Sequence, residues 1–322
     1  MSLNGSLSSA GIVRHGVPQG SVLGPLLFCM FINDLPLYLS SEEVVCDMFA
    51  DDATLHTPDK NVDVVSRRLQ QSLKEVSGWC SNNCMVLNPS KSQCMAVATR
   101  QKHQLDTISL SLSLNGTAIE QVAHHRLLGV IIDNQLQWKP HIDSVCKKVS
   151  RNLFMLSKLR FITDTETRKL FYNAHVKSHV DYASTVWDGS SEANLKRLNS
   201  LHRRAAKLLS SEPQLSTDQK LKRLKMLPLS RQLQFNKGVF MYNVHKQSSP
   251  HYIKELFTLE QSSSRTRSGP VFKVPRPRID LYKTSLLFSG SSLWNSLPIK
   301  VRGACSLSSF KDSLFRYLFT LD

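Results

Sequence analysis

The sequence predicts an α+β fold whose first half mixes short strands with helices and whose second half is helical. Before about residue 140, short apolar runs bounded by turn residues predict strands, and one longer periodic stretch predicts a helix. The predicted strands lie within 44–56, 95–99, 108–114 and 127–132, and the helix lies within 62–80. Beyond Pro140 the apolar residues recur at helical spacing.

The acidic run at 51–52 separates two strand-like stretches within 44–56, which predicts two short strands joined by a turn. Upstream, residues 12–40 contain glycine and proline breakers followed by an apolar run, so we expect a loop and then a helix. Ser21 precedes that apolar run and is a candidate N-cap.

Two stretches of the second half predict amphipathic helices with basic outer faces. One places apolar residues at 145, 149, 153, 156 and 159 within one arc, opposite Lys147, Lys148, Arg151 and Lys158. The other, at 195–209, places its leucines opposite five cations: Lys196, Arg197, Arg203, Arg204 and Lys207. Both faces fit an ordinary solvated surface, but the five cations at 196–207 favour contact with nucleic-acid phosphates.

Composition and charge narrow the class of protein. The chain has 322 residues, of which 41% are hydrophobic, and this excludes wholesale disorder. The formal charge is −5 over residues 1–60, +4 over 61–150 and +17 over 151–322, which favours a polyanionic partner. The sequence predicts an intracellular protein, nuclear or cytoplasmic, because the seven cysteines follow no secretory signal and the apolar run at 22–32 is too short to span a bilayer.

The pair Asp51-Asp52 carries the clearest chemical signal. Two adjacent carboxylates at the end of an apolar strand are costly to pack unless a cation lies against them. Carboxylate oxygens suit Mg²⁺, and a pair of such ions can clamp the attacking and leaving oxygens of phosphoryl transfer. Taken alone, the pair also fits an ordinary acidic hairpin turn.

A second motif precedes this pair by about thirty residues. The run GVPQGSVLGPLLF occupies 16–28 and INDLP occupies 32–36, so a glycine-bounded loop opens a helix upstream of the FADD run at 49–52. Such a loop lets the backbone and a glutamine side chain approach a nucleotide closely. In this order, the two motifs resemble the reverse transcriptase of jockey-like non-LTR retrotransposons.

Further segments extend the resemblance over most of the chain. They are LNPSKS at 87–92, HRLLGVIID at 125–133, LQW at 136–138, HI at 141–142, VDY at 180–182, VW at 186–187 and LWNSLP at 293–298. The resemblance implies a partial polymerase palm, an antiparallel sheet with helices, over 1–142. It implies a helical thumb over 143–260 and a small basic, helical module over 279–322. The run rich in Ser, Arg and Pro at 261–278 is expected to be a linker.

The resemblance also implies roles for individual residues. Asp51 and Asp52 match the catalytic carboxylates that hold Mg²⁺ or Mn²⁺, and Phe49 stands where the family more often has tyrosine. The residues implied in nucleotide or template binding are Pro18, Gln19, Gly20, Ser21, Phe49 and Lys91, although Lys91 equally fits a solvated surface lysine. Leu128 and Gly129 fall in the stretch that supports the primer end. The implied partners are an RNA template, a DNA primer and dNTPs.

One departure from the family pattern bears on activity. In the family, another catalytic aspartate lies upstream of the Gly-Val-Pro-Gln-Gly loop, whereas residues 1–15 contain no Asp or Glu. We therefore expect an N-terminally truncated polymerase with an incomplete metal site, inactive as this polypeptide alone. The alternatives are a non-catalytic, nucleic-acid-binding remnant and a decayed reading frame whose exposed apolar helix promotes aggregation.

Overall fold

The computed structural model describes residues 2–3, 6–7, 20–105, 108–260 and 271–321. The chain divides into two compact units, Met1–His125 and Arg126–Asp322. The sequence predicts a domain boundary after residue 142. That position lies within the helix Lys139–Leu159. Within the described ranges, the helices are all too short or too polar to cross a bilayer.

Short strands and three helices make up the described part of the first unit. The helices are α1 (Gly24–Ile32), α2 (Val62–Asn82) and α3 (Arg100–Leu105). The strands are β1 (Ser2–Leu3), β2 (Ser6–Leu7), β3 (Val45–Phe49), β4 (Asp52–His56), β5 (Gln93–Cys94), β6 (Ser113–Leu114), β7 (Thr117–Ala118) and β8 (Glu120–Gln121). Strand β9 (His124–Leu127) spans the boundary between the units.

The local predictions for the first unit are confirmed in part. Strands β3 and β4 form the expected antiparallel hairpin, and α2 covers the expected helix, with the Asn61 side chain capping it by accepting from the Asp63 N–H at 2.8 Å. The strand predicted at 95–99 is wrong, because pairing involves Gln93–Cys94, which runs parallel to Glu120–Gln121. Within 108–114 only the last two residues pair, as β6 with β7.

The first unit has two apolar clusters. One places α2 against α1 and the 3₁₀ turn Leu35–Tyr38, and its buried members are Ile32, Leu35, Val76, Trp79 and Cys80. The other is built on Leu110, Leu112, Leu114 and Ile119. Much of α1 and the residues just before it stay exposed, from 44% at Phe31 to 94% at Val22.

The second unit is mostly helical. After strand β10 (Val130–Asp133) its helices are α4 (Lys139–Leu159), α5 (Thr165–Tyr172), α6 (Ser178–Asp181), α7 (Ser184–Trp187), α8 (Glu192–Leu209), α9 (Thr217–Arg223), α10 (Leu229–His245), α11 (His251–Glu255), α12 (Asp280–Lys283), α13 (Leu286–Ser296), α14 (Ile299–Arg302) and α15 (Leu307–Thr320). Between α11 and α12 lie strands β11 (Leu259–Glu260) and β12 (Val271–Phe272). The predicted apolar faces of α4 and α8 are confirmed, since their central residues Val149, Leu153, Leu198 and Ala205 are buried.

Helix α10 contributes to both hydrophobic cores of this unit. Its first half, at Leu229 and Leu233, packs with α4 and α8, while Met241 and Tyr242 pack with Trp294 and the last helix. The carboxy-terminal segment is therefore part of the same unit. The linker expected over 261–278 is corrected in its described portion, because Val271–Phe272 pairs with Leu259–Glu260 and Phe272 is buried.

Asp133 closes the loop between β10 and α4. Its Oδ1 accepts hydrogen bonds from the Gln135 and Gln137 N–H groups at 3.1 and 3.0 Å, and its Oδ2 accepts from the Trp138 N–H at 2.6 Å. Trp138 has φ 63° and Leu136 has φ 54°, so both adopt a left-handed conformation that side chains disfavour. The buried carboxylate therefore holds a strained backbone at the start of α4.

We expect Asp133→Ala to lower the free energy of unfolding of the second unit by about 3 kcal/mol or more, because three backbone donors lose a charged acceptor. Urea denaturation followed by tryptophan fluorescence measures this. The matched control is Asp143→Ala. Its carboxylate is more exposed and, among the described residues, bonds the Arg197 side chain alone, so the change should cost about 1 kcal/mol or less. Equal losses in the two variants would contradict the assigned role.

Candidate active site and nucleic-acid surface

Asp51 and Asp52 lie at the tip of the β3–β4 hairpin. Phe49 pairs with Asp52, which leaves Ala50 and Asp51 as the two-residue loop. Ala50 has φ 52°, a strained left-handed conformation for a residue with a Cβ. Both carboxylates are exposed, and neither forms a hydrogen bond or ion pair with a described residue. The hairpin thus presents two adjacent carboxylates that no described protein cation neutralises.

The strand alternation of the hairpin separates an inner face from an outer one. Met48 and Leu55 point to the core, whereas Phe49 on the outer face is 63% exposed. Asp47 and His56 share that outer face, and the His56 Nε2 lies 3.0 Å from an Asp47 carboxylate oxygen. Sequence reasoning assigned no role to this pair, although the period of two along each strand places it beside Asp52.

The donor chemistry at the hairpin tip fits a divalent metal in part. Carboxylate oxygens are the ligands that Mg²⁺ and Mn²⁺ prefer, and Asp51 and Asp52 supply them without a competing cation. In the portion of the chain that the structure describes, no group of three or more His, Cys, Asp or Glu side chains is arranged to hold a metal ion. Among the described residues, Asp51 and Asp52 therefore offer two carboxylate ligands and no third one beside them.

The glycine-bounded loop is described only at its end. Pro18 and Gln19 lie outside the described residues. Gly20 has φ 82°, a conformation that glycine adopts without strain, and no atom of the described residues lies within 4 Å of where its Cβ would be. The Ser21 Oγ accepts from the Gly24 N–H at 3.0 Å. Ser21 thus bonds the first residue of α1, although the residue in the N-cap position is Leu23, not Ser21 as expected.

Lys91 ends a short 3₁₀ turn, Pro89–Lys91. The Asn88 side chain accepts from the Ser90 N–H at 3.0 Å and from the Ser90 Oγ at 2.7 Å, which fixes this turn. The Lys91 side chain is exposed, and no hydrogen bond or ion pair joins its ammonium group to the described residues, Asp51 and Asp52 included. The structure therefore gives Lys91 freedom to reach a ligand but does not join it to the carboxylate pair.

Leu128 and Gly129 form the turn between β9 and β10. The stretch 127–132, predicted as a single strand, therefore contains the end of β9, this turn and most of β10. Both have positive φ, 47° and 86°. The Tyr182 hydroxyl donates to the Leu128 carbonyl at 2.5 Å, and its ring lies 3.3 Å from where a Gly129 Cβ would be. Tyr182 was not among the predicted site residues; its contact joins residues 54 positions apart and leaves no local sequence signal.

The basic face of α8 is only partly available. Lys196 pairs with Glu192 at 2.9 Å, Arg197 with Asp143 at 2.6 Å, and Arg203 with Asp218 at 2.6 Å. Hydrogen bonds from Arg203 lower the pKa of Asp218, and the Asp143 carboxylate raises the pKa of Arg197. Arg204 and Lys207 are exposed without a partner in the described part of the chain. The row of five phosphate-facing cations stays a prediction, and in the structure three of the five form ion pairs with carboxylates.

Residues 2–132 match the family model described as "Reverse transcriptase (RNA-dependent DNA polymerase)". The chain is 27% identical over 218 residues to "Probable RNA-directed DNA polymerase from transposon BS" of Drosophila melanogaster, covering 65% of this chain and 24% of that protein. It is 25% identical over 260 residues to "RNA-directed DNA polymerase from mobile element jockey" of the same species, covering 77% and 28%. A third relative, from transposon X-element, is 23% identical over 214 residues.

The chain spans about a quarter of the length of these curated relatives. No solved structure matches it. The resemblance to jockey-like retrotransposon polymerases that the motifs indicated is confirmed by these matches.

Proposed function

We propose that this chain, whose residues 2–132 belong to the reverse transcriptase family, acts as a segment of an RNA-directed DNA polymerase encoded by a jockey-like non-LTR retrotransposon. The observation that carries the proposal is the hairpin tip, where Asp51 and Asp52 are exposed and free of protein cations within a segment that matches the family. Such a polymerase extends a DNA 3′-hydroxyl on an RNA template with dNTPs.

The reverse transcriptase family generally uses divalent metal ions, and in this proposal Asp51 and Asp52 hold Mg²⁺ or Mn²⁺. The bound ion supplies charge stabilisation at the phosphoryl oxygens during transfer. The two carboxylates orient the reacting groups from a loop that the antiparallel β3–β4 ladder holds in place. Phe49, exposed beside Asp52, offers an apolar surface for the incoming nucleotide.

The remaining predicted residues are assigned to substrate positioning. Pro18, Gln19, Gly20 and Ser21 would lie over the nucleotide and template, where the open space at Gly20 allows close backbone approach. Lys91, exposed and unpaired among the described residues, would reach the nucleotide phosphates.

The turn at Leu128 and Gly129 would support the primer end. The bond from the Tyr182 hydroxyl to the Leu128 carbonyl supports this assignment, because it holds the turn in one conformation. Of the predicted α8 cations, Arg204 and Lys207 are the ones available to contact backbone phosphates.

We expect the 322-residue polypeptide alone to incorporate no measurable nucleotide. Two-metal phosphoryl transfer needs ligands that hold both ions, and the described residues supply no third ligand beside these two carboxylates. Template-primed incorporation of labelled dNTPs tests this. Incorporation that disappears in Asp51→Ala/Asp52→Ala would contradict the expectation.

A chimera tests the proposed function. Residues of this chain replace the matching segment of the jockey polymerase, with which the chain aligns over 260 residues. We expect the chimera to extend oligo(dT) on poly(rA) with Mg²⁺ or Mn²⁺. A folded chimera that binds the template–primer but incorporates nothing would overturn the polymerase proposal.

That same outcome would favour the second candidate, a non-catalytic nucleic-acid-binding protein. The observation behind this candidate is the net charge of +17 over residues 151–322, which favours a polyanion irrespective of any chemistry at the hairpin. Binding that resists loss of Asp51 and Asp52 and falls steeply with salt, together with an inactive chimera, would identify it.

A further inference from the structure

Helix α4 packs beside the segment that links α5 to α6. In that segment Asn173–Lys177 forms a single π-helical turn, a local widening that is frequent at functional sites. The Asn152 side-chain amide of α4 donates to the carbonyl of His175. Val149 of α4 and Val176 of the π-turn are buried in the same core. These contacts bring one edge of α4 next to the histidines at positions 175 and 179.

Five groups on these elements carry, or can acquire, positive charge. Burial lowers the pKa of His179, and the nearby Lys148, Arg151 and His175 lower it further. Lys148 and Arg126 act in the same way on His141, whose pKa burial lowers first. Arg126, Arg151 and His175 are exposed, while Lys148 and His179 are half-buried.

No carboxylate among the described residues pairs with any of these five groups. This distinguishes them from the face of α8, where Glu192, Asp143 and Asp218 neutralise three of five cations. Like charges gathered without counter-ions destabilise one another and are relieved by an anionic ligand. The groups therefore form a place on this unit where a bound anion would be stabilised.

We propose that Arg126, Lys148, Arg151, His175 and His179, here named the histidine cluster, bind the phosphate backbone of nucleic acid and that His179 takes up a proton on binding. The proposal rests on the proposed function only in taking nucleic acid as the polyanion. The position of the histidine cluster supports nucleic acid as the polyanion. Arg126 lies two residues before the Leu128–Gly129 turn, and Tyr182, whose hydroxyl bonds this turn, lies three residues after His179.

The direction of the pH dependence follows from the charges. Near neutral pH the free His179 is largely neutral, since its pKa lies below the usual histidine value. A backbone phosphate beside it favours the imidazolium, which is charged and donates from both ring nitrogens. The pKa is therefore higher in the complex than in the free protein. Affinity should rise as pH falls through this interval and level off below the free pKa.

Fluorescence anisotropy with a labelled RNA–DNA hybrid of about 20 base pairs tests the histidines. For the 322-residue chain we expect the affinity to rise about ten-fold between about pH 8 and about pH 6. His175→Gln/His179→Gln should remove most of this rise. The control His251→Gln replaces an exposed histidine of α11 and should keep the full rise. A rise that survives in the double variant, or no binding by the parent chain, would overturn the proposal.

The salt dependence tests the fixed charges. Lys148→Gln/Arg151→Gln should shallow the slope of log K against log salt by roughly two, because each cation that neutralises a phosphate contributes about 0.9 to that slope. Lys300→Gln/Lys311→Gln removes the same charge from exposed positions on α14 and α15 and should leave the slope nearly unchanged. Equal changes in both variants would show a non-specific effect of net charge and overturn the site. These assays measure binding and involve no extension of the duplex. A failure of the histidine-cluster proposal can therefore be distinguished from a failure of the polymerase proposal.

Discussion

Asp51→Asn and Asp52→Asn should each reduce nucleotide incorporation by the jockey chimera by about 10³-fold or more, while template–primer binding stays within about two-fold. The expected loss is large because charge stabilisation of the phosphoryl group is the main catalytic contribution in such transfers. Both side chains are exposed and make no hydrogen bond to the described residues, so their replacement should not disturb folding. Steady-state incorporation rates and filter binding measure the two quantities.

Asp47→Asn is the matched control for this prediction. Asp47 lies on the same outer face of the hairpin and is also exposed, but it is bonded to His56 at 3.0 Å. If the acidic residues act only through the general field of the hairpin, Asp47→Asn should impair incorporation as severely as the other two changes. We expect a loss of less than about ten-fold, since a field effect at an exposed position is screened by salt. Equal losses in the three variants would contradict specific metal binding by Asp51 and Asp52.

The parts of the fold that could be predicted from sequence are those fixed by local patterns. The β3–β4 hairpin follows from two apolar runs around Asp51 and Asp52, and the buried faces of α4 and α8 follow from their periodicity. Strands β5 to β8 are two residues long, too short to produce a periodic signal, which is why the run at 95–99 misled. Phe272 is buried by distant helices, which the polar composition around it does not indicate.

The motif residues of the candidate site could be predicted from the sequence, but the residues that surround them could not. Adjacent carboxylates and the glycine loop are contiguous in sequence, so they stand out without a structure. The partners of the α8 cations come from elsewhere: Asp143 lies 54 residues before Arg197, and Asp218 lies 15 residues after Arg203. Charge counting cannot detect such pairs. The same limit hid Tyr182 and the approach of His175 and His179 to the predicted cations of α4, which depend on packing between α4, the π-turn and the β9–β10 turn.

A buried ion pair connects the two cores of the second unit. The Lys237 ammonium of α10 lies 2.7 Å from Oδ2 of Asp188 and donates to the Ser289 hydroxyl at 2.8 Å. The two charged side chains are only 12% and 7% exposed. The other oxygen of Asp188, Oδ1, is buried and accepts no hydrogen bond from the described residues. Asp188 therefore depends on Lys237 for most of its stabilisation as an anion.

Lys237→Met should lower the free energy of unfolding by about 3–5 kcal/mol at neutral pH, because it leaves a buried carboxylate without its counter-ion. Lys283→Met is the matched control: its partner Asp280 is 93% exposed, and the loss should be about 1 kcal/mol or less. The double variant Lys237→Met/Asp188→Asn should recover part of the loss, since no buried charge remains. Urea denaturation of the four proteins gives these values, and no recovery in the double variant would contradict the charge-based explanation.

The loss of unfolding free energy in Lys237→Met should also depend on pH, and the burial of Asp188 determines the direction of that dependence. Burial raises the pKa of Asp188 above its ordinary value, and the Lys237 charge opposes this rise. Between the unfolded and the folded pKa the native state binds more protons, so the contribution of Asp188 to stability falls as pH rises through that interval. Without Lys237 the folded pKa rises further and the interval widens upward. The penalty should therefore be largest above the folded pKa of Asp188 in the variant and should shrink as pH falls through that pKa, where Asp188 becomes protonated in the native state. A penalty that is constant with pH would show that lost packing of the lysine stem, and not the unpaired carboxylate, accounts for the destabilisation.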